Sequence, residues 1–297
     1  MTKTTDSKSA EEIAAFVDTV VAEGARLYRD FAWRRTHDTY EVLVCEVMLQ
    51  QTQVSRVERY YERWLEDFPT LEALAAAPLE AVLQAWQGLG YNRRAVALKR
   101  LAEQLSAEAA ARGGDAELPR AEADLQALPG VGPATAAGVR AFAFGQSAVY
   151  LETNVRTVFL HELLADREAV SDAEIRPLAE KAAAEAADRG IDARAWNYAL
   201  LDYGAYLKRT LPNPSRRSKH HSQQSRFEGS TRQKRARLLR IVMEQPGLGL
   251  DAYTTELSVA EKAERRAELT DGEVLALLEA LTAEGFLVRE GDHWRIG

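Results

Sequence analysis

The chain has 297 residues, 46% of them hydrophobic, which is long and apolar enough for two or three compact units with proper cores. Its 38 Lys and Arg against 45 Asp and Glu give a formal charge of −7, which taken whole argues against nucleic-acid binding, because duplex affinity rests on cations that neutralise phosphates. A single cysteine, Cys45, excludes an internal disulfide and any four-cysteine zinc or iron–sulfur site supplied by one chain, and points to a reducing compartment.

No stretch approaches the roughly 18 consecutive apolar residues of a membrane span. Residues 1–10 are polar, without an export-type apolar segment, and read as a disordered tail. A soluble, cytoplasmic, nucleoid-associated protein without a membrane partner is the expectation. In chain order, Ala-, Leu-, Glu- and Arg-rich periodicity predicts helices at 10–30, 40–67, 79–87, 93–111, 133–143, 155–164, 172–187 and 194–208. Glycine and proline separate them at Pro69, Gly88, Gly90, Gly113, Gly114, Pro129, Gly130 and Gly145. From Leu211 apolar residues nearly vanish, so 211–232 reads as a linker or extended basic strap. Helices at 233–244 and 271–284, then a hairpin turning at Gly291-Asp292, outline a winged-helix-like module over 233–297.

Leu128-Pro129-Gly130-Val131-Gly132 lies between two helical segments and leads directly into Pro133-Ala134-Thr135. Two glycines allow a tight turn, and the amides opening the next helix form an anion site that needs no basic side chain. The plain alternative is an ordinary interhelix turn. Charge resolved along the chain changes the first impression: between 206 and 240 eleven Lys and Arg face only Glu228, +10 there and −17 elsewhere. Arg216, Arg217 and Lys219 are the strap's candidate phosphate contacts. The alternative is a solvated linker.

Glu46 interrupts an otherwise apolar helix, with Val42, Leu43, Val47 and Leu49 around it. A carboxyl buried there is costly when ionised, so its pKa rises and it can act as a general acid near pH 7; the plain alternative is a Glu facing solvent on an amphipathic helix. Gln50, Gln51, Thr52 and Gln53 follow as a polar patch, read as continuing the same helix, able to bond base edges or fill the space a base leaves. Trp33, Trp64 and Trp196 read as core, Cys45 as a small packed residue, and His220-His221 as too poor in partners for a metal site.

Glu46-Val47-Met48-Leu49-Gln50-Gln51-Thr52-Gln53-Val54, Trp86-Gln87-Gly88-Leu89-Gly90-Tyr91, the hairpin, and Asn154-Val155-Arg156 occur together in this order. With them the chain, from about Phe31 to Tyr206, resembles MutY-type adenine DNA glycosylases of the helix-hairpin-helix GPD superfamily. The resemblance implies an all-α, two-lobed fold, with one lobe from 11–40 and 146–210, a helical barrel lobe from 41–145, and a target-base pocket between them. It implies a monomer acting on double-stranded DNA that holds a mismatch or lesion, with a monovalent cation at the hairpin carbonyls. It also gives roles: Glu46 protonates the purine, Asn154 supports a second carboxylate, and Gln51 and Tyr91 wedge into the duplex around a flipped nucleotide.

Four departures bear on this. The second carboxylate is Glu152 where the family has Asp. Ala134 stands where the lyase branch carries a Schiff-base lysine, so a monofunctional enzyme is expected. The four cysteines of the iron–sulfur loop are missing, and the strap begins where that loop would. A winged-helix-like tail occupies the place of the domain that reads 8-oxoguanine, with Arg289, Trp294 and Arg295 on its wing. The expected reaction is release of adenine opposite guanine or 8-oxoguanine. Alternatives are a mismatch uracil, thymine or altered-purine glycosylase of the same superfamily, or a catalytically silent DNA-damage binder.

Overall fold

The computed structural model describes residues 8–221 and 226–297. Residues 1–7 of the expected tail and 222–225 of the strap therefore lie outside the described residues. Ser9 is already a cap: it accepts from the Glu12 amide while Glu12 reaches back to the Ser9 amide. The helices that follow are α1 (Ala10–Leu27), α2 (Thr39–Leu49), α3 (Val54–Asp67), α4 (Leu71–Ala76), α5 (Leu79–Ala85), α6 (Arg93–Arg112) and α7 (Glu122–Ala127). Next come α8 (Pro133–Phe142), α9 (Thr153–Glu162), α10 (Asp172–Asp188), α11 (Ala193–Thr210), α12 (Thr231–Glu244), α13 (Leu250–Ala263) and α14 (Asp271–Ala283).

Among the described residues, 8–47 with 118–221 form one compact unit and 48–117 with 226–297 another. The hairpin thus groups with residues 8–47, whereas the lobe boundaries read from the sequence put it with the barrel. In the first unit α1, α9, α10 and α11 bury one another's apolar faces, with Phe16 4.9 Å from Phe159 and edge-on to Trp196. α9 and α11 approach closely at Gly204, where any Cβ would strike the Asn154 backbone. In the second unit Trp64 and Trp86 meet edge to face at 5.3 Å. Trp33, Trp64 and Trp196 are all buried.

Sequence periodicity runs through one break that the structure makes. The single helix read at 40–67 is two, α2 and α3, parted at 50–53, with Gln51 at φ 54°. α4, a turn and a half long, and α13 were not foreseen either, whereas α7 is the helical segment expected ahead of the hairpin. In the tail, Leu287–Glu290 (β2) and His293–Ile296 (β3) pair antiparallel about the expected turn, and Leu248–Gly249 (β1) adds a third strand in the order β1-β3-β2. Tyr253 of α13 ties this sheet to its helices, accepting from the Leu248 amide at 3.2 Å and lying 3.0 Å from the Trp294 carbonyl it donates to.

Candidate active site

Glu46 sits on α2 with only 8% of its surface exposed, among buried Val42, Leu43, Val44, Cys45, Val47 and Met48. Burial raises its pKa to about 8; the neighbouring Glu152 charge adds to the rise and a hydrogen bond from Tyr150 opposes it. α8 approaches through Gly138, where a Cβ would overlap the Glu46 carboxylate. Glycine there is what lets a helix backbone close over the acid.

Tyr150 is the residue the sequence did not flag. Its phenol, pushed well above its usual range by burial and then by Glu46, stays protonated and donates to Glu46. A hydroxyl thus reaches the acid from the irregular segment before α9. Because this bond favours the ionised carboxylate, Tyr150→Phe is expected to raise the Glu46 pKa and move the alkaline limb of the base-release profile to higher pH. A pH series of single-turnover rates checks the direction.

Glu152 is the N-cap of α9: its Oε1 accepts from the amides of Asn154 at 2.7 Å and Val155 at 3.2 Å. The extra methylene relative to Asp is accommodated by this fold-back. Burial raises its pKa, and the two amides together with Lys208 and Arg156 act against the rise. Asn154 supports the carboxylate through its backbone amide rather than its side chain. Arg156 is bidentate to Asp172, at 2.6 and 2.7 Å, which fixes α9 against the start of α10.

In the hairpin, Gly130 takes φ 77°, Leu128 and Val131 are buried, and Gly132 caps α8 without a side-chain bond. The buried Thr135 side chain points away from solvent, so the backbone amides opening α8 are what an anion would meet. Among the described residues no group of three or more His, Cys, Asp or Glu could hold a metal ion. His220 does have a carboxylate beside it that its sequence neighbours did not reveal, Asp172 at 3.9 Å.

In the second unit the Gln50–Gln51–Thr52 turn and the Tyr91 turn meet at one side chain, Arg94. Its guanidinium donates to the carbonyls of Met48 (2.9 Å), Gln50 (2.6 Å), Leu89 (3.3 Å) and Gly90 (2.8 Å) and to the Thr52 hydroxyl (3.0 Å). Gln51 (φ 54°) and Tyr91 (φ 50°), the two residues the resemblance reads as wedges, both lie in the left-handed region on either side of it. Arg94 caps the end of α2, which is why the helix stops at Leu49.

The strap divides by residue. Arg217 donates to the carbonyls of Leu160 (2.6 Å), Leu164 (2.8 Å) and Ala165 at and just past the end of α9, while the Val170 amide donates to the Arg217 carbonyl (2.9 Å) and the Lys219 amide to the Val170 carbonyl (2.8 Å). Arg217 is therefore a helix-end anchor, a correction to its reading as a phosphate contact; Arg216 and Lys219 are exposed. Arg217→Ala should lower the thermal midpoint, whereas Arg216→Ala with Lys219→Ala should leave it in place and weaken DNA binding with a smaller salt slope. Thermal denaturation and a salt titration of duplex binding separate the two. Further along, the local charge of +10 is offset by carboxylates outside that window: Arg235 pairs with Glu284 (2.6 Å), Arg237 with Glu261 (2.6 Å) and Glu264, and Arg240 with Glu244 (3.7 Å).

The first unit thus holds a buried acid, an amide-capped second carboxylate beside it and a glycine hairpin opening α8. Residues 44–185, which carry all three features, match the family model described as HhH-GPD superfamily base excision DNA repair protein. The human adenine DNA glycosylase is 40% identical over 160 residues, 51% of this chain and 28% of that protein. The adenine DNA glycosylase of Mycolicibacterium smegmatis is 44% identical over 131 residues, 44% of this chain and 43% of the relative. The chain therefore spans less than half the length of these relatives. Among solved structures, a thermostable thymine-DNA glycosylase aligns with TM-score 0.56 at 26% identity, over 66% of this chain and 87% of its own. A trapped endonuclease III–DNA covalent intermediate shares the fold, with TM-score 0.50 at 21% identity, over 68% of this chain and 87% of its own. Among the described residues no helix is long and apolar enough to cross a membrane.

Proposed function

We propose that the chain is a monofunctional DNA glycosylase of base excision repair that hydrolyses the N-glycosidic bond of an adenine mispaired with guanine or 8-oxoguanine. The observation that carries this reading is Glu46, an acid whose pKa of about 8 keeps it protonated at neutral pH. Glycosidic cleavage passes through an oxocarbenium-like state, so one group protonates the leaving base and another stabilises the sugar cation or guides water. Glu46 takes the first role on the flipped purine. Glu152, held by the α9 amides and close enough for its charge to weigh on Glu46, takes the second. The Glu46 proton goes to the base; water adds to the sugar carbon, and its proton leaves through the second carboxylate. With Ala134 on α8 no amine stands there to form a Schiff base, which supports hydrolysis without strand cleavage.

The partner is double-stranded DNA, bound by a monomer: in the first unit the α8 amides of the hairpin suit phosphate, and in the second Gln51 and Tyr91, on their left-handed turns, suit entry into the duplex. A monovalent cation at the hairpin carbonyls belongs to the same reading: the Leu128 carbonyl, accepting from the Val131 amide, keeps a second lone pair for it. A second reading, thymine release from a mismatch, is favoured by the likeness to the thymine-DNA glycosylase. Single-turnover reactions on a panel of mismatched duplexes, developed with hot alkali, decide between them. Adenine release from the duplexes pairing it with guanine or 8-oxoguanine is expected. Thymine or uracil release with adenine untouched selects the second reading, and tight binding without release of any base makes the protein a damage binder.

A further inference from the structure

Tyr91 is held from two sides within the second unit. Arg232, in the first turn of α12, donates to the Tyr91 hydroxyl at 2.6 Å and lies over its ring at 5.3 Å, while Arg94 of α6 approaches the same ring at 5.7 Å. Arg232 also lies over the ring of Phe227, at 5.5 Å, and Phe227 is 45% exposed. The result is a run of planar groups, Phe227, Arg232, Tyr91 and Arg94, contributed by the C-terminal module and by the turn after Trp86 together. Its neighbours on α12 do something different: Arg235 binds Glu284, which caps the end of α14, and Arg237 binds Glu261 of α13, holding the module together.

Alternating aromatic rings and guanidinium planes are what a nucleobase stacks on, and the guanidinium fork also suits base edges and phosphate. A solvent-facing phenylalanine beside such a stack has no packing purpose that its exposure would serve. We infer that Arg232 and Phe227 extend Tyr91 into a stacking surface for the base opposite the excised one, so that opposite-base discrimination is built jointly by the C-terminal module and the Tyr91 turn. This rests on Tyr91 entering the duplex as the functional reading has it. Arg232 is in this respect a positioning residue as well, since its bond to the hydroxyl sets the tilt of the tyrosine ring, whose backbone already lies at positive φ.

The test uses the full chain and a duplex in which 2-aminopurine faces a tetrahydrofuran abasic-site analogue, because 2-aminopurine fluorescence falls when the base stacks. At saturating protein the wild type quenches it. Arg232→Ala and Phe227→Ala each lose half or more of the quench, and Arg232→Lys is no better than Arg232→Ala, since an ammonium restores charge but not the plane. Thermal midpoints of the variants report whether each is folded, and the exposed Phe227 change keeps the test open if Arg232→Ala is not. In parallel, the ratio of adenine release opposite 8-oxoguanine to that opposite cytosine falls about tenfold in Arg232→Ala. Equal quench in wild type and both alanine variants, or full recovery by lysine, overturns the inference. A wild type that quenches and releases no adenine leaves the stacking surface standing and overturns the adenine reading instead.

Discussion

Glu46→Gln is expected to lower single-turnover base release roughly 10³-fold, the scale of a positioned general acid, while the variant still binds mismatched duplex. The physical basis is the protonation state. A carboxyl with pKa about 8 is protonated in about nine molecules of ten at pH 7, whereas an unperturbed glutamate would be almost wholly ionised. Wild-type release should accordingly fall as pH rises through 8. The same shift makes a stability prediction independent of catalysis. Because the folded pKa lies above the unfolded one, the stability this group contributes is fully present below the unfolded value near 4.5 and is lost as pH rises through about 8. Glutamine mimics the protonated form, so Glu46→Gln should raise the thermal midpoint over wild type more at pH 8.5 than at about pH 5. A variant that is inactive but no more stable at alkaline pH would place the acid in a less apolar setting than its neighbours provide.

Arg94→Ala carries the second large effect. One guanidinium serves four carbonyls and a hydroxyl that join the α2 end to the Tyr91 turn, and its own pKa is brought down to about 10 by burial. Removing it leaves those acceptors to find water or stay unpaired, at a cost of about 3 kcal/mol or more, or roughly 6–12 °C in thermal midpoint. Lysine restores the charge without the fork, so Arg94→Lys should recover little of the loss. The variant should also release base more slowly than its folded fraction accounts for, since Gln51 and Tyr91 lose the group that holds both left-handed turns. Midpoints from thermal denaturation, with rates normalised to folded protein, check both parts.

What could be read from the residues alone follows from how local each feature is. Glu46 stood out because its apolar neighbours are within one helical turn, and the hairpin because glycines and a helix start are contiguous in sequence. The break at 50–53 did not stand out, since it is made by Arg94, more than forty residues on. Tyr150 was missed for the same reason, lying more than a hundred residues beyond the acid that it bonds. The strap's charge looked free because Glu261, Glu264 and Glu284, which neutralise its far end, lie outside the window in which it was counted. α13 was missed although Leu250, Tyr253, Leu257 and Glu261 stand at helical spacing.

α9 presents Glu152 at its first turn and is held by Arg217 at its last. The Glu152 carboxylate therefore rides on a post bolted at the far end, and its height is set by a guanidinium a helix-length away. That bolt is a guanidinium meeting main-chain carbonyls, so it is in place as soon as the chain has folded.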